Sequence, residues 1–189
     1  PDDYLIDLGS GDGRISIRAA TRFGTRGVGV DLDDRLVRMA LADARNQGVA
    51  DKVVFETRNL FGTDISRATV VTTYLLQSIN VQLRPLLFEQ LKPGTRIVSH
   101  DFDFADWAAD QKITIDVPGK PYGPPRSDIM LWVVPANVTG VWQWSLPGSA
   151  VYELRLEQIF QVPVGAAMVR GQPLRLTDAR VKGDEVTFT

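Results

Sequence analysis

A glycine-rich turn directly after the first apolar segment constrains the fold of this chain more than any other feature. Residues 4–8 form a short apolar run, and residues 7–13 read Asp-Leu-Gly-Ser-Gly-Asp-Gly, a D-x-G-x-G-x-G sequence. Residues 14–23 then place apolar side chains at a helix-compatible spacing, up to Gly24. A buried strand, a glycine-rich turn and a helix in this order predict the first unit of a βαβ fold.

The alternation of strands and helices continues through the first two-thirds of the chain. We predict an α/β fold with a mostly parallel sheet, because strands that are separated by helices form βαβ units. The further predicted strands cover residues 28–32, 52–56, 68–74 and 95–100, and the further predicted helices cover residues 35–47 and 84–91, the last with Pro85 in its first turn.

Beyond residue 107 the pattern changes to strands alone. Residues 112–117 and 129–134 read as two more strands, with a Pro/Gly-rich loop at residues 118–125 between them. After residue 138 only short strands remain, separated by turn signals such as Pro-Gly and Gly-Asp. We therefore expect a first domain at residues 1–137 and a small antiparallel β appendage at residues 138–189. Trp142 and Trp144 share one face of a strand, and we expect them to fill the small core of this appendage.

Composition narrows the classes of function. The net charge of −2 disfavours a nucleic-acid partner, and a chain without cysteine and with one histidine is a poor candidate for a metal site. No apolar run reaches the length of a membrane span, so we expect no membrane segment and a cytoplasmic protein. The chain enters its first strand almost at once and ends on one. We therefore expect a fragment that lacks an N-terminal segment and whose appendage is truncated.

The glycine loop indicates a cationic ligand. Gly9, Gly11 and Gly13 allow positive φ angles and a close approach of backbone to ligand, while the following helix presents free N–H groups, as does Ser10 within the loop. Asp7 adds a carboxylate, which suits the ammonium and sulfonium of S-adenosylmethionine (SAM) and would repel a pyrophosphate.

The rival interpretation is the dinucleotide fingerprint G-x-G-x-x-G. Counted from Gly9 that pattern needs glycine or alanine where Arg14 stands, and counted from Gly11 it needs glycine where Ser16 stands. The spacing therefore favours SAM over a nicotinamide dinucleotide as the cofactor.

Two later positions complete the predicted cofactor site. Asp31 ends the second strand about twenty residues after the glycines, where a carboxylate can bind both ribose hydroxyls. The alternative for Asp31 is a helix N-cap, but Asp33 or Asp34 is better placed to cap the next helix. Leu32 then contacts the adenine face or belongs to the core. After the third strand, Asn59 can accept the adenine amino group and the Leu60 N–H can bond a ring nitrogen. The alternative for Asn59 is an Asx turn.

On these residues the chain resembles the class I SAM-dependent methyltransferases from about Asp3 to Pro135. The resemblance rests on residues 7–13, on Gly-Val-Asp at residues 29–31, and on Leu-Lys-Pro-Gly-Thr-Arg-Ile-Val at residues 91–98. It implies a Rossmann-like seven-stranded sheet with helices on both faces, whose last two strands form an antiparallel hairpin.

Within that class the chain is most similar to the atypical protein-lysine methyltransferases and their uncharacterised bacterial relatives. The likeness lies in residues 7–15 and in a Trp-containing segment after strand five, residues 102–107. It implies methyl transfer to an acceptor nucleophile, with a protein lysine favoured. The alternatives are a small-molecule or RNA methyltransferase and an inactive SAM-binding interaction module. Asn59 departs from this group, in which aspartate is common there.

The resemblance also indicates where the acceptor lies. In this fold the residues at the end of strand four line the methyl side, and here they are residues 73–78. Tyr74 can orient an amine and Gln77 can hydrogen-bond it, so these two are the candidate catalytic residues. His100 and Asp101 end strand five and can supply a general base, although a single histidine is often structural.

Overall fold

The computed structural model describes residues 2–145, 147–148 and 150–189. The chain divides into two compact units, one ending at Val133 and the other beginning at Val134. Elements of the first unit are β1 (Tyr4–Leu8), α1 (Arg14–Phe23), β2 (Arg26–Asp31), α2 (Asp34–Asn46), β3 (Val53–Thr57), a short 3₁₀ helix (Leu60–Gly62), β4 (Val70–Thr73), α3 (Gln77–Gln90), β5 (Arg96–His100), β6 (Gln111–Asp116) and β7 (Arg126–Val133).

A seven-stranded sheet organises the first unit, in the order β3-β2-β1-β4-β5-β7-β6. Strands β1 to β5 pair in parallel, whereas β7 runs antiparallel to both β5 and β6. The predicted mostly parallel sheet and its terminal antiparallel hairpin are therefore confirmed.

The strand order reverses between β1 and β4, which pair with one another. From β1 the sheet continues through β2 and β3 in one direction, and from β4 it continues through β5 in the other. Because βαβ crossovers are right-handed, α1 and α2 lie on one face of the sheet and α3 on the other. The crevice at the carboxyl ends of β1 and β4 is where open α/β sheets bind their ligands.

The face that carries α1 and α2 has a continuous aliphatic core. Phe55 of β3 packs there beneath the two helices. The remaining buried members of this cluster are small or branched residues, Ile17, Ala20, Val37, Ala40, Ala44, Val49 and Val53. This packing holds the glycine loop between β1 and α1 in place.

Helix α3 differs from its prediction. It begins at Gln77 and not at Arg84, so Pro85 lies inside the helix and not in its first turn. The turns before Pro85 are held by Asn80, which is fully buried and whose amide donates to the carbonyl oxygens of Phe102 (3.0 Å) and Asp103 (3.3 Å). A proline inside a helix removes one backbone hydrogen bond, and this cost led to the prediction that the helix begins near Pro85. The tertiary bonds of Asn80 outweigh that cost.

The second unit consists of strands. They are β8 (Gly140–Ser145), β9 (Val151–Ile159), β10 (Val162–Val169), β11 (Gln172–Leu174), β12 (Arg180–Lys182) and β13 (Glu185–Thr187). The first four form an antiparallel sheet in the order β11-β10-β9-β8, and β12 pairs with β13. The predicted antiparallel β-rich region is confirmed, whereas the functional division into domains at residues 1–137 and 138–189 stays a prediction.

The expectation that Trp142 and Trp144 fill the core of this unit is wrong. Their exposed fractions are 49% and 39%, and every residue of the edge strand β8 is exposed. The Trp142 indole donates to the Val138 carbonyl (2.8 Å), and Trp144 stacks on Tyr152 with 5.4 Å between ring centroids. The core consists of the aliphatic residues Val138, Leu154, Leu156, Ala167 and Val181.

Candidate active site

The glycine loop makes a tight turn against the second strand. Gly9, Gly11 and Gly13 all have positive φ angles, 79°, 55° and 76°. The N–H groups of Gly9 and Ser10 both donate to the Val30 carbonyl at 2.9 Å. The loop is therefore anchored to β2, and it leads directly into α1.

Steric room around the loop explains two of its glycines. A Cβ atom built on Gly13 would lie 2.6 Å from Cζ of Phe55 and 2.8 Å from Cβ of Ala40, so only glycine fits there. A Cβ atom on Gly11 would meet no protein atom of the described residues within 4 Å. Gly11 therefore borders open space, while Gly13 packs on the core.

Asp31 fastens the loop to the end of β2. One of its carboxylate oxygens accepts the Gly11 N–H (2.8 Å) and the other accepts the Asp33 N–H (2.9 Å). The cap of α2 is Asp33, which accepts the N–H groups of Arg35 and Leu36. Asp31 is therefore not the helix cap, and each of its oxygens keeps a lone pair for a ligand hydroxyl.

Asp7 is the most unusual group of the site. It is 1% exposed, one carboxylate oxygen accepts the Thr72 hydroxyl (2.7 Å), and the other is buried without a partner among the described residues. Burial raises the pKa of Asp7 to about 6, against the opposing hydrogen bond from Thr72 and with a smaller contribution from the nearby Asp31 and Asp12 carboxylates. Such a carboxylate is suited to a cationic ligand that enters from the loop side.

The residues predicted to contact adenine lie at the neighbouring strand ends. Leu32 is 70% exposed, so its interpretation as a core residue is wrong and its side chain is open to a ligand. Asn59 forms the Asx turn that was the alternative, since its side-chain oxygen accepts the Phe61 N–H (3.0 Å). Leu60 begins the 3₁₀ helix beside it and is half-buried.

The acceptor candidates lie on the other side of the strand reversal. Tyr74 follows β4, and its ring packs on His100 at the end of β5, with 4.0 Å between centroids. Leu75 closes the gap to the glycine loop, because a Cβ atom on Gly9 would lie 2.6 Å from Cδ2 of Leu75. Gln77 is the first residue of α3, and its amide donates to Asp103 at 2.5 Å.

A cavity of about 280 Å³ opens beside Tyr74. Asp101 and Phe102 line it from the end of β5, and Lys120 and Tyr122 line it from the loop between β6 and β7. Lys120 and Tyr122 were missed in the sequence, where residues 118–125 read only as a Pro/Gly-rich turn. A lysine and a tyrosine between two glycines could have drawn attention to this loop. The local sequence does not indicate, however, which strand end the loop contacts.

The groups that line this cavity shift the pKa values of their neighbours. Burial, the Tyr122 hydroxyl (3.3 Å) and the Asp101 charge raise the pKa of Tyr74 to about 12. Desolvation lowers the pKa of His100, and the Lys120 charge adds to that effect against the Asp101 carboxylate. Burial acts to raise the pKa of Asp101, but the Lys120 ammonium and the Asp128 N–H outweigh it and hold that pKa below its usual value.

Metal-ligating side chains are scattered in the part of the chain that the structure describes. Among those residues, no cluster of three or more such side chains occurs. Nor does any helix within the described ranges have both the length and the apolar character needed to cross a bilayer.

Comparisons with known proteins identify similar sequences. A protein-lysine N-methyltransferase from Saccharolobus islandicus is 45% identical over 116 residues, which are 61% of this chain and 72% of that relative. The adenine nucleotide translocase lysine N-methyltransferase of Mus musculus is 33% identical over 104 residues, 54% of this chain and 45% of that relative. The chain thus spans most of the first relative and less than half the length of the second.

A solved structure shares the fold. It is an RNA methyltransferase from Salinibacter ruber in complex with S-adenosyl-L-homocysteine, 52% identical, with a TM-score of 0.64 over 72% of this chain and 83% of that one.

A family model described as the ANTKMT methyltransferase domain matches residues 7–111, more than half of the chain. The matched range contains the glycine loop, Asp31, Tyr74 and the His100–Asp101 pair. The resemblance drawn from the sequence is confirmed: the chain belongs to the ANTKMT methyltransferase domain family and is a SAM-dependent methyltransferase.

Proposed function

We propose that this chain transfers the methyl group of SAM to a lysine side chain of a protein. The observation that carries the cofactor half is Asp7, a buried carboxylate with one unpartnered oxygen, among the described residues, at the point where the strand order reverses. A cation bound there replaces the water that burial has removed. SAM carries its ammonium and its sulfonium within the reach of one such site.

The described residues fit the rest of the cofactor. Asp31 binds the ribose hydroxyls with the lone pairs that the backbone leaves free, and the loop of Gly9, Ser10, Gly11 and Gly13 gives the backbone close access. The exposed Leu32 covers one adenine face. Leu60 offers its N–H, and the Asn59 side-chain oxygen, which holds the Asx turn with one lone pair, offers its second lone pair to the adenine amino group.

The acceptor half follows from chemistry at the ends of β4 and β5. When bound, SAM supplies a sulfonium methyl group, which moves to the amine nitrogen as the electron pair of its C–S bond returns to sulfur. The lysine must first lose a proton, since its reference pKa is about 10.4. His100 can accept that proton, because desolvation lowers its pKa and favours the neutral ring. Tyr74 is a positioning residue whose ring faces the incoming side chain.

A protein acceptor is supported by the names of two relatives, both lysine methyltransferases. An RNA acceptor is the second candidate, because the Salinibacter ruber structure is titled an RNA methyltransferase. The mildly acidic chain opposes a phosphate backbone. The cavity itself is balanced in formal charge, since Asp101 and Asp128 line it together with Lys120 and Arg126.

The proposal is tested by labelling a host lysate with tritiated SAM and the purified chain. We expect the label in protein, resistant to ribonuclease and released as methylated lysine after acid hydrolysis. The matched control is Asp31→Ala, which removes the ribose contacts and should abolish the label. Label that ribonuclease removes would identify RNA as the acceptor and overturn the protein-lysine proposal.

The division of labour along the chain is part of the same proposal. Residues 1–137 hold the cofactor and the reacting groups, and residues 138–189 form an appended domain that takes no part in SAM binding. The site residues named above all precede Val134, which supports this division.

A further inference from the structure

The cavity beside Tyr74 has the chemistry of a site for an organic cation. Asp101 contributes a carboxylate, and Tyr74, Phe102 and Tyr122 contribute aromatic rings. Arg126 and Asp128, one basic and one acidic residue, line the cavity as well. The hydroxyls of Tyr74 and Tyr122 lie 3.3 Å apart, so the two side chains meet at the cavity, and Tyr122 is 65% exposed. A carboxylate among aromatic rings binds an alkylammonium by charge and by cation–π attraction.

The chain already places such a cation there. The ammonium of Lys120 lies 2.5 Å from one oxygen of Asp101 and 2.9 Å from the carbonyl oxygen of Arg126. The Lys120 side chain is only 8% exposed, although it belongs to a surface loop between two strands. A buried lysine side chain on this carboxylate is chemically the same as the acceptor of the proposed reaction.

Asp101 is held in position independently of Lys120. Its backbone has a φ angle of 63°, a left-handed conformation that is uncommon for residues other than glycine, asparagine and aspartate. Its other carboxylate oxygen accepts the Asp128 N–H (3.0 Å), and its own N–H donates to the Asp128 carbonyl (2.8 Å). The oxygen that faces Lys120 is therefore presented by a fixed group, whichever ammonium pairs with it.

We propose that Asp101, Tyr74 and Tyr122 form the ammonium-binding part of the acceptor site, and that Lys120 occupies it until a substrate lysine takes its place. This inference rests on the proposed function and names the residues that receive the acceptor. The exchange replaces one ion pair by an equal one, so its cost is the movement of the loop that carries Lys120. Gly119 and Gly123, with φ angles of 80° and 77°, lie on either side of Lys120 and Tyr122 and give that loop conformational freedom.

A purely structural ion pair makes the opposite prediction. If Lys120 only fastens its loop, then its removal loosens the cavity and weakens the binding of any external ammonium. If Lys120 is an internal stand-in for the acceptor, then its removal frees Asp101 and strengthens that binding. The sign of the change therefore separates the two roles.

The test uses n-butylammonium, which has the end of a lysine side chain, and a chain labelled with ¹³C in its tyrosine rings. The chain has four tyrosines, so Tyr4 and Tyr152 serve as internal controls far along the sequence from Tyr74 and Tyr122. We expect n-butylammonium to shift the signals of Tyr74 and Tyr122 alone. Lys120→Met should bind it about fivefold more tightly than the wild type, the equivalent of one partly buried ion pair.

Three controls accompany this titration. Lys120→Arg keeps a cation on Asp101 and should not gain affinity. Asp101→Asn tolerates the left-handed backbone and keeps the oxygen that Asp128 uses, yet it should lose n-butylammonium binding. Uncharged n-butanol should leave all four tyrosine signals in place in every variant.

Equal or weaker binding in Lys120→Met, or equal shifts at Tyr4 and Tyr152, would overturn the inference. This titration needs neither SAM nor methyl transfer. Its failure is therefore distinct from failure of the proposed function, which the lysate labelling reports. In a catalytic assay with a deca-lysine peptide, Lys120→Met should lower KM for the peptide and leave the Kd for SAM unchanged.

Discussion

The donor and acceptor halves of the site are built in different ways. The donor half consists of the glycine loop and Asp31, which lie within about 25 residues of each other. Backbone N–H groups of the loop donate to the Val30 carbonyl and to the Asp31 carboxylate. The acceptor half brings Tyr74, Asp101 and Lys120 together from three separate segments through side chains. A site made of backbone geometry accommodates one ligand shape, whereas a site made of side chains on a loop can differ between proteins with the same fold.

The largest expected effect concerns the packing of the donor loop. Gly13→Ala should lower the free energy of unfolding by about 3 kcal/mol, since it adds a methyl group against Phe55 and Ala40 to a left-handed backbone. Gly24→Ala is the matched control, with a φ angle of 71° and open space around its Cβ position. It should cost only about 1 kcal/mol. Urea denaturation of both variants measures the difference, and equal losses would contradict the steric account of Gly13.

Asp7 should make the free chain less stable as the pH rises. Its folded pKa of about 6 lies above the ordinary value of 3.8, so the folded state holds the proton more tightly than the unfolded state. Stability is then lost as the pH rises from about 4 through 6, by on the order of 3 kcal/mol. Asp7→Asn removes the charge and should be more stable than the wild type at pH 7.5 but not at pH 4. Thermal melts of both proteins across this range give the sign directly.

The same carboxylate should couple SAM binding to pH. A cation beside Asp7 favours its ionised form, so binding releases a proton below the folded pKa of about 6. The Kd for SAM should rise by up to about tenfold per pH unit as the pH falls from 6 to 5. Calorimetry in two buffers of different ionisation enthalpy counts the released proton. A flat Kd from pH 7 to 5 in the wild type would contradict the assignment of Asp7 to the cation.

The smallest effect is expected for an exposed ring of the second unit. Trp144→Ala removes a ring that stacks on Tyr152 and should cost about 1 kcal/mol or less. Leu154→Ala, in the core of the same unit, is the contrasting variant and should cost more, about 2 kcal/mol. Both variants should keep the Kd for SAM of the wild type. A change in that Kd for Trp144→Ala would contradict the proposed independence of residues 138–189 from the cofactor site.

The difference between contacts among neighbouring residues and contacts between separate segments also explains what could be predicted from the sequence. The glycine loop and the capping role of Asp33 depend on neighbours within a few residues, and both were predictable. The start of α3 was not, because buried bonds of Asn80 outweigh a local signal from Pro85. Trp142 and Trp144 were expected in a core, although an edge strand leaves them exposed.

The acceptor residues show the limit most clearly. Tyr74 and Asp101 stand at strand ends, so topology alone made them candidates. Lys120 reaches Asp101 only because β6 and β7 form a hairpin beside β5, and the register of that hairpin is a tertiary property. The local sequence therefore does not predict the contact between Lys120 and Asp101.

Calorimetric titration of SAM into the wild type, Asp31→Ala and Asp101→Asn tests the division into a donor and an acceptor half most directly. We predict the same Kd for the wild type and Asp101→Asn, and a Kd roughly a hundredfold higher for Asp31→Ala, from the loss of two charge-assisted hydrogen bonds. Binding of SAM that is unchanged in Asp31→Ala, or that is lost in Asp101→Asn while that variant stays folded, would contradict the division.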